Sequence, residues 1–577
     1  MYQGARNVYC RYPATKEVEM VYDLGARHLL FLDAGLVFPG KIIWSEPDGK
    51  PHPLHATADY YGTRTFRKHE VIGRPFHVPS GLAFEAQPAT LGDRVDAFAD
   101  LHPQIMQDGG RFRAWAGGRM RLGDQATAAQ RRQSREEAAG FDLTSHTLVV
   151  RYLESDDGVD WRAPDLDVVE IGGRRTNIVF GTLQVPERGF SGMKLFVDPS
   201  ASPAGRYKGL FGGRMPIREL VRHCREADEP FDPMSMLVQL SRMPRDQVEA
   251  GGHYELIVGG VMPDDLDALP DGPAMAFFGA ESPDGLHWTA SPHPALTFMA
   301  EEVTPYWDTE HDRYAAYCRY WQRAQRRSIG FTSTTDFGRW PLPRPILFPS
   351  YREDLGVDYY TNCHSLYPGT PDVHLFFVSR YRRGQDDCAD LHLAVSLDGE
   401  AFEFVSGDPV IAVDARGWDP DTESPSACVF PTNDLVQFDA DHVGIIVRRD
   451  NFPHKWPRTT QWRHIVQWAL WENERLVALR AAERGELTTS GLMLRAPTIY
   501  LNVTTEPAGS LVARVLDDRG EPVEGFGFEE ARPINGDHRQ VPLRWTTGPL
   551  PSRLIDRKIY LELRMRQTRL YSIWAAD

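Results

Sequence analysis

The 577-residue sequence predicts an all-β chain, a five-bladed β-propeller followed by a C-terminal β-sandwich, with helical insertions in blades one and two. Three observations carry that reading. One turn is written four times, paired apolar strands precede each copy, and the texture of the chain changes after residue 480.

The turn reads ESDDGVDW at 154 to 161, ESPDGLHW at 281 to 288, STTDFGRW at 333 to 340 and SLDGEAF at 396 to 402. Each copy has Ser or Thr, then Asp two residues on, usually Gly next, then an aromatic. Asp and Gly favour a tight reversal, the hydroxyl bonds the turn backbone, and the aromatic returns to the core on the next strand. Ahead of the copies lie HPQIMQDGGRFRAWAGGR, MKLFVDPSASPAGRYKGLFGGR, VTPYWDTEHDRYAAYCR and CHSLYPGTPDVHLFFVSR, each an apolar strand, a polar turn and a second apolar strand ending in Arg. A fifth unit of the same form, ACVFPTNDLVQFDADHVGIIVRR, is followed by WRHIVQWALWENERLVAL. Five such units, spaced by about fifty residues or more, predict a propeller with one outer turn per blade.

Trp161 and Trp288 stand too far apart for one blade. A polar, partly helical insertion at 216 to 250 accounts for the excess, and a smaller one at 123 to 141 interrupts blade one. Both follow the Arg that ends a second strand, so both are expected on one face of the disc. There they would cover a site, make a homo-oligomer contact or serve as plain loops. Residues 1–74, with RHLLFLDAGLVFPGKIIW, read as lead-in strands packed on the propeller. Residues 75–479 form the propeller, and 480–577 alternate apolar and polar residues between TTSG, EPAG, DDRG and NGD turns, as a small antiparallel sandwich does.

Composition narrows the function classes. Eighty acidic against 64 basic side chains give a formal charge of -16, which repels phosphate backbones and anionic lipid. Nucleic acid and membrane are therefore not expected as partners. The N-terminus lacks an apolar h-region and no run is long enough to span a bilayer, so a soluble, cytoplasmic protein is expected. The six cysteines are scattered without a CxxC pair and read as buried thiols. No phosphate-binding loop, serine-hydrolase elbow, zinc-protease helix or dinucleotide glycine pattern is present, and no cofactor is expected. DPDTE at 419 to 423 lacks the Gly and remaining oxygen ligands of a calcium loop, so no metal is assigned.

In a propeller the innermost strand of each blade lines the central channel, and sites form where those strands begin. With Asp108, Asp198, Asp308, Pro368 and Pro431 as register marks, the upstream positions hold Asp100, Glu301 with Glu302, Asp358 and Glu423. Blade two offers Gly192 and, further back, Asn177. Carboxylates from separate blades meeting at one mouth are what glycoside hydrolysis requires, one protonated to serve the leaving oxygen and one ionised to attack or to activate water. Turn caps or partners of arginines are the plain alternative. Arg119, Arg214, Arg319, Arg380 and Arg448 end the second strands and are expected around the same mouth, binding substrate or holding the acids ionised. His102, Asn362 and His364 lie on the same first strands as candidates for hydroxyl binding.

These turns, together with GELTT, GSLVARVLDDRGEPVEGF, VDYYTNCHSLYPG and YWDTEHDRYAAYCR, resemble the five-bladed propeller glycoside hydrolases of the invertase, levanase and arabinanase type, families 32 and 43. They are more closely similar to bacterial proteins described as family 32-like. The resemblance covers residues 75 to 577. The WMNDPNG, RDP and EC motifs of the invertase type are absent: RRTN places Asn177 where RDP has its Asp, and Glu423 in ESPSAC has no adjacent Cys. Site residues therefore rest on blade register. The resemblance implies a carbohydrate substrate and cleavage of a furanosyl bond, fructosyl or arabinosyl. Asp100 would then be nucleophile or base, Glu302 or Glu423 general acid, and Asp358 the orienting carboxylate. Phosphorolysis with arginine-held phosphate, a non-catalytic carbohydrate-binding propeller and a partner-binding propeller are the alternatives.

Overall fold

The computed structural model describes residues 8–10, 19–24, 28–30, 80–98, 102–121, 146–228, 266–269, 273–298, 303–321, 326–350, 352–361, 363–383, 385–413, 418–419, 424–425, 427–432, 434–454, 464–489 and 491–576. The insertion at 123 to 141 and most of that at 216 to 250 lie outside them. The chain is nearly all β, with Ile217–Glu226 the one α-helix among the described residues. It divides into two compact units, Met1–Pro88 with Val405–Asp408 and Trp471–Asp577, and Ala89–Phe404 with Pro409–Leu470.

In the first unit nine strands join one hydrogen-bonded sheet. Its spine is the antiparallel pair Thr498–Leu516 and Arg557–Ala576, flanked by Val477–Thr488 and Ser80–Ala86. Ile499, Leu501, Val503, Leu511, Ala513 and Val515 are buried, while Tyr500, Thr504, Val512 and Arg514 between them are half-buried. That alternation is the period of two that puts successive side chains on opposite faces.

The second unit repeats one motif. A first sheet runs His102–Asp108, Arg111–Arg121, His146–Ser155, Ile178–Gly181, each strand antiparallel to the next. A second runs Gly192–Val197, Tyr207–Pro216, Pro273–Ser282, Thr289–Leu296, and a third Val303–Asp308, Arg313–Trp321, Arg327–Thr334, Arg344–Leu347. A ten-stranded sheet holds two further groups. In the earlier group Val357–Tyr359 and Cys363–Tyr367 both pair with Thr370–Arg382, followed by Ala389–Ser396 and Glu403–Phe404. In the later, Cys428–Pro431 and Val436–Gln437 pair with His442–Asp450, followed by His464–Glu472 and, from the other end of the unit, Thr90–Arg94. A single parallel pair, Ala389 with Cys428, links the two groups.

Second strands are buried along most of their length, as in Tyr207–Pro216, because both faces are covered. The fourth strand Arg344–Leu347 exposes Arg344 and Pro345 and turns Leu347 into the core. Separate apolar cores fill the spaces between successive groups. Trp115, Leu195, Tyr207 and Phe211 pack between the first and second, and Leu210, Phe277, Tyr314 and Phe337 between the second and third. Tyr317, Phe331, Tyr359 and Phe376 join the third and fourth, and Tyr381, Ala389, Cys428 and Phe430 the fourth and fifth. Phe112, Leu153, Val466 and Trp468 join the fifth to the first. Ile217, Leu220, Val221 and Cys224 put the buried stripe of the helix into the core of the first two sheets.

Three of the four turns are built the same way, whereas in the copy at 333 to 340 Thr334 accepts the Asp336 amide and Asp336 accepts the Gly338 amide. Ser155, Ser282 and Ser396 accept the amides of Gly158, Gly285 and Gly399 at 2.9, 2.9 and 3.0 Å. Asp157, Asp284 and Asp398 each accept the amides two and three residues on. The turn glycines take φ of 78°, 79° and 72°, which side chains resist. Their carbonyls also bind the neighbouring sheet: Trp468 Nε1 donates to Gly158 at 2.9 Å, Trp115 Nε1 to Gly285 at 2.7 Å, and Tyr317 Oη to Gly399 at 2.7 Å. Hence the turn is a joint between sheets as well as a reversal. At the first hairpins of the first two sheets Asp108 takes Arg206 and Tyr207 from the second sheet, and Asp198 takes Tyr314 from the third at 2.8 Å. The Arg206 guanidinium at Asp108 holds that carboxyl down to about 2.

Candidate functional site

At the opposite ends of these hairpins, third- and fourth-sheet residues close around one carboxylate. Asp358 lies in the short strand Val357–Tyr359, opposite Tyr381, and is fully buried. Its Oδ1 accepts the Arg327 amide at 3.1 Å and its Oδ2 accepts Arg327 Nη1 at 2.7 Å. Arg383 Nε is 3.7 Å away. Arg327 opens the third strand of the third sheet and pairs with Trp321, the last residue of the second strand, so both side chains stand on one face of that hairpin. The Arg327 guanidinium lies 4.5 Å from the Trp321 ring centre and 4.9 Å from that of Tyr360.

Tyr360 is the hub. Arg319 stacks 4.4 Å from the centre of its ring and donates Nε to its carbonyl at 3.2 Å. The phenol is hydrogen-bonded to His454 Nε2 at 2.9 Å. Tyr381 packs edge-on to the same ring, and Phe430 from the fifth group lies 5.7 Å away, carrying Arg448 at 5.2 Å from its own centroid. Arg448 also reaches Asp450 at 2.9 Å. Burial, with Arg327 nearby, lowers the Arg319 guanidinium to about 10, which leaves it charged at neutral pH. Arg319, Arg327, Arg383 and Arg448 face Asp358 and Asp450, so positive charge prevails among the described side chains here. Donor-only guanidinium and indole groups beside flat rings suit a ligand rich in oxygen acceptors.

Of the residues expected at a mouth, Arg319 and Asp358 meet at this site, and Arg448 joins through Phe430. Asp100, Glu301, Glu302, Asn362 and Glu423 lie outside the described residues, as do the side chains of His102 and Arg119, whose backbones pair with Gly117 and Leu148. Arg214 is half-buried opposite Met275, and its amide donates to the Arg188 carbonyl at 2.7 Å. Arg380 reaches Glu353 at 3.4 Å. Asn177 adjoins the outer strand of the first sheet and donates Nδ2 to the Tyr152 carbonyl at 2.9 Å. His364 is buried against Tyr306 and Tyr317, bonded to His374 at 3.1 Å, and burial keeps it neutral, far below its ordinary pKa.

Trp321, Arg327, Tyr360 and His454 were not singled out by sequence. Arg327 belongs to a third strand, and only the pairing of Trp321 with Arg327 brings it back to the edge where Arg319 ends. The RR of WQRAQRRSIG is the one signal available beforehand: Arg326 turns to the carbonyls of Val357 and Asp354 while Arg327 turns to the carboxylate. Among the described residues, no cluster of three or more metal-ligating side chains occurs, and no helix is long and apolar enough to cross a membrane.

No family model matches the chain, and no curated protein matches it. Among solved structures, the chain is similar to a GH32 beta-fructofuranosidase of Bombyx mori at 10% identity and a TM-score of 0.34, covering 86% of this chain and 93% of that one. It is similar to a beta-xylosidase at 9% identity and 0.37, covering 66% and 94%. A beta-1,2-mannobiose phosphorylase of Listeria innocua matches at 10% and 0.34, covering 70% and 93%.

Proposed function

We propose that the second unit is a five-bladed propeller and that the protein is a glycoside hydrolase acting on a furanoside, fructosyl or arabinosyl. One observation carries this reading: strand ends from separate sheets converge on a buried carboxylate, Asp358, among guanidinium groups and flat aromatic rings. In this reading Asp100 is nucleophile or base and Glu302 or Glu423 gives a proton to the leaving oxygen. Asp358 positions Arg327. Both of its oxygens accept from Arg327, and removing one partner of so buried a pair costs about 3–5 kcal/mol, so Asp358 serves the site by holding that guanidinium in place.

The test is turnover of 4-nitrophenyl α-L-arabinofuranoside, sucrose and a fructan by the full-length protein, with and without phosphate. Asp100→Asn, Glu302→Gln and Glu423→Gln are compared at matched thermal stability. Loss of kcat/KM by about a thousandfold in Asp100→Asn and in one of the two glutamate variants is the expected result. Wild-type rates in all three variants would remove these residues from the chemistry, and turnover only with phosphate would move the reaction to phosphorolysis. The tying of Asp358 to Arg327 favours a second reading, carbohydrate binding without cleavage. It predicts oligosaccharide binding with no turnover of any of the three substrates.

A further inference from the structure

A cavity in the first unit is edged by two arginines that have no counter-charge among the described residues. Arg532 and Arg544 stand opposite each other on an antiparallel pair: Ala531 bridges Trp545, the Thr546 amide donates to the Glu530 carbonyl at 2.8 Å, and the Arg532 amide donates to the Arg544 carbonyl at 2.8 Å. Residues directly opposite share one face of a sheet, where like charges repel. Both side chains are exposed, and neither guanidinium makes an ion pair or hydrogen bond among the described residues. Two carboxylates of the same segment are engaged elsewhere: Asp537 takes Arg475 at 2.7 Å, and Glu530 takes the Gly527 amide at 3.1 Å.

Just beyond the arginines the two segments part. Pro533 has no amide to continue the ladder, while the Ile534 amide donates to the Leu511 carbonyl at 2.9 Å and the Leu543 amide to the Ile499 carbonyl at 2.8 Å. A cavity of about 310 Å³ opens in that fork, lined by Arg532, Arg544, Pro533, Pro542, Asn535 and His538 among others, all of them described. His538 Nε2 donates to the Asn535 carbonyl at 2.8 Å, which leaves Nδ1 to accept a hydroxyl. A space of this size takes one small organic ligand. Paired guanidinium forks select an oxyanion, and the prolines offer an apolar wall to the carbon skeleton that carries it. We propose that this cavity is a ligand site for a hydroxylated organic anion of about monosaccharide size, a sugar acid or a sugar phosphate, held by Arg532 and Arg544. The site stands on the first unit alone and does not depend on the hydrolase reading.

The full-length protein is titrated calorimetrically with sodium glucuronate, glucose 6-phosphate, inorganic phosphate and glucose at constant ionic strength. Saturable binding of glucuronate or of glucose 6-phosphate, about tenfold tighter than glucose or inorganic phosphate, is expected, and the tighter of the two tells a sugar acid from a sugar phosphate. Arg532→Gln and Arg544→Gln should each weaken that binding about tenfold, with a melting temperature unchanged or raised because a like-charge contact is gone. Arg553→Gln removes an exposed arginine of the same unit outside the cavity and should bind as wild type does. The proposal is overturned if neither organic anion binds more tightly than glucose, or if inorganic phosphate binds as tightly as either of them. It is overturned equally if Arg532→Gln or Arg544→Gln keeps wild-type affinity, or if Arg553→Gln loses as much as they do.

Discussion

Asp434 shows how much one residue can carry. It is half-buried with φ of 72°, and Gln104 Nε2 donates to its carboxylate at 2.9 Å while also donating to the Leu195 carbonyl. It therefore ties the first strands of the first two sheets to the loop between Cys428–Pro431 and Val436–Gln437. Burial pushes its carboxyl up to about 6, against the smaller opposing effects of Gln104 and Lys194. A raised carboxyl binds its proton more tightly in the folded state. Stability is thus lost as pH rises from about 4 through 6, and the loss is complete above that. Asp434→Asn keeps the Gln104 contact without the ionisation cost, so it should stabilise the protein by roughly 1–2 kcal/mol at pH 7.5, with the partial exposure discounted. The gain should shrink toward pH 4. Urea midpoints of the variant and wild type across that range check the sign, and a gain independent of pH would contradict it.

The element that matters most is the repeated Ser-x-Asp-Gly turn. Its hydrogen bonds span two or three residues, so the pattern is legible in sequence: Ser282, Asp284 and Gly285 reproduce Ser155, Asp157 and Gly158 bond for bond. The joint to the next sheet is not legible, because Trp115 is far away in the chain yet donates to Gly285. A Cβ at Gly285 would sit 2.6 Å from Trp115 Cζ2 in a conformation of φ +79°. Gly285→Ala should cost roughly 2–4 kcal/mol, strain plus displacement of the indole. Gly173 has φ +76° with nothing within 4 Å of its Cβ position, so Gly173→Ala should cost only the backbone strain, about 1 kcal/mol. Denaturant midpoints for the pair separate conformation from clash, and equal losses would refute the role of Trp115. The arginine-ended second strands were likewise visible in sequence, but among those whose side chains are described, the two whose neighbours supply Tyr360 and Phe430 reach the candidate site.

At the scale of the whole molecule, apolar cores between successive sheets enclose most of the chain's thiols. Cys224, Cys318, Cys363, Cys388 and Cys428 are buried and free of disulfides, and burial raises the Cys388 thiol to about 11. The native protein should therefore react with at most one equivalent of a thiol reagent within minutes, and with six after denaturation; a rapid second equivalent would show an opening that the packing does not provide. By itself the sequence determined the all-β class, the repeated turn, the hairpin ending in arginine and the acidic character that repels polyanions. These properties are set by contacts a few residues apart or by composition. Only the tertiary structure decided that Asp358 belongs to Arg327, that Trp321 and Arg327 share one face with Tyr360, that His364 is sealed among tyrosines and that Asn177 serves an outer strand. Those outcomes depend on which side chains meet across the gap between two sheets, where burial fixes the partner and no local spacing records it.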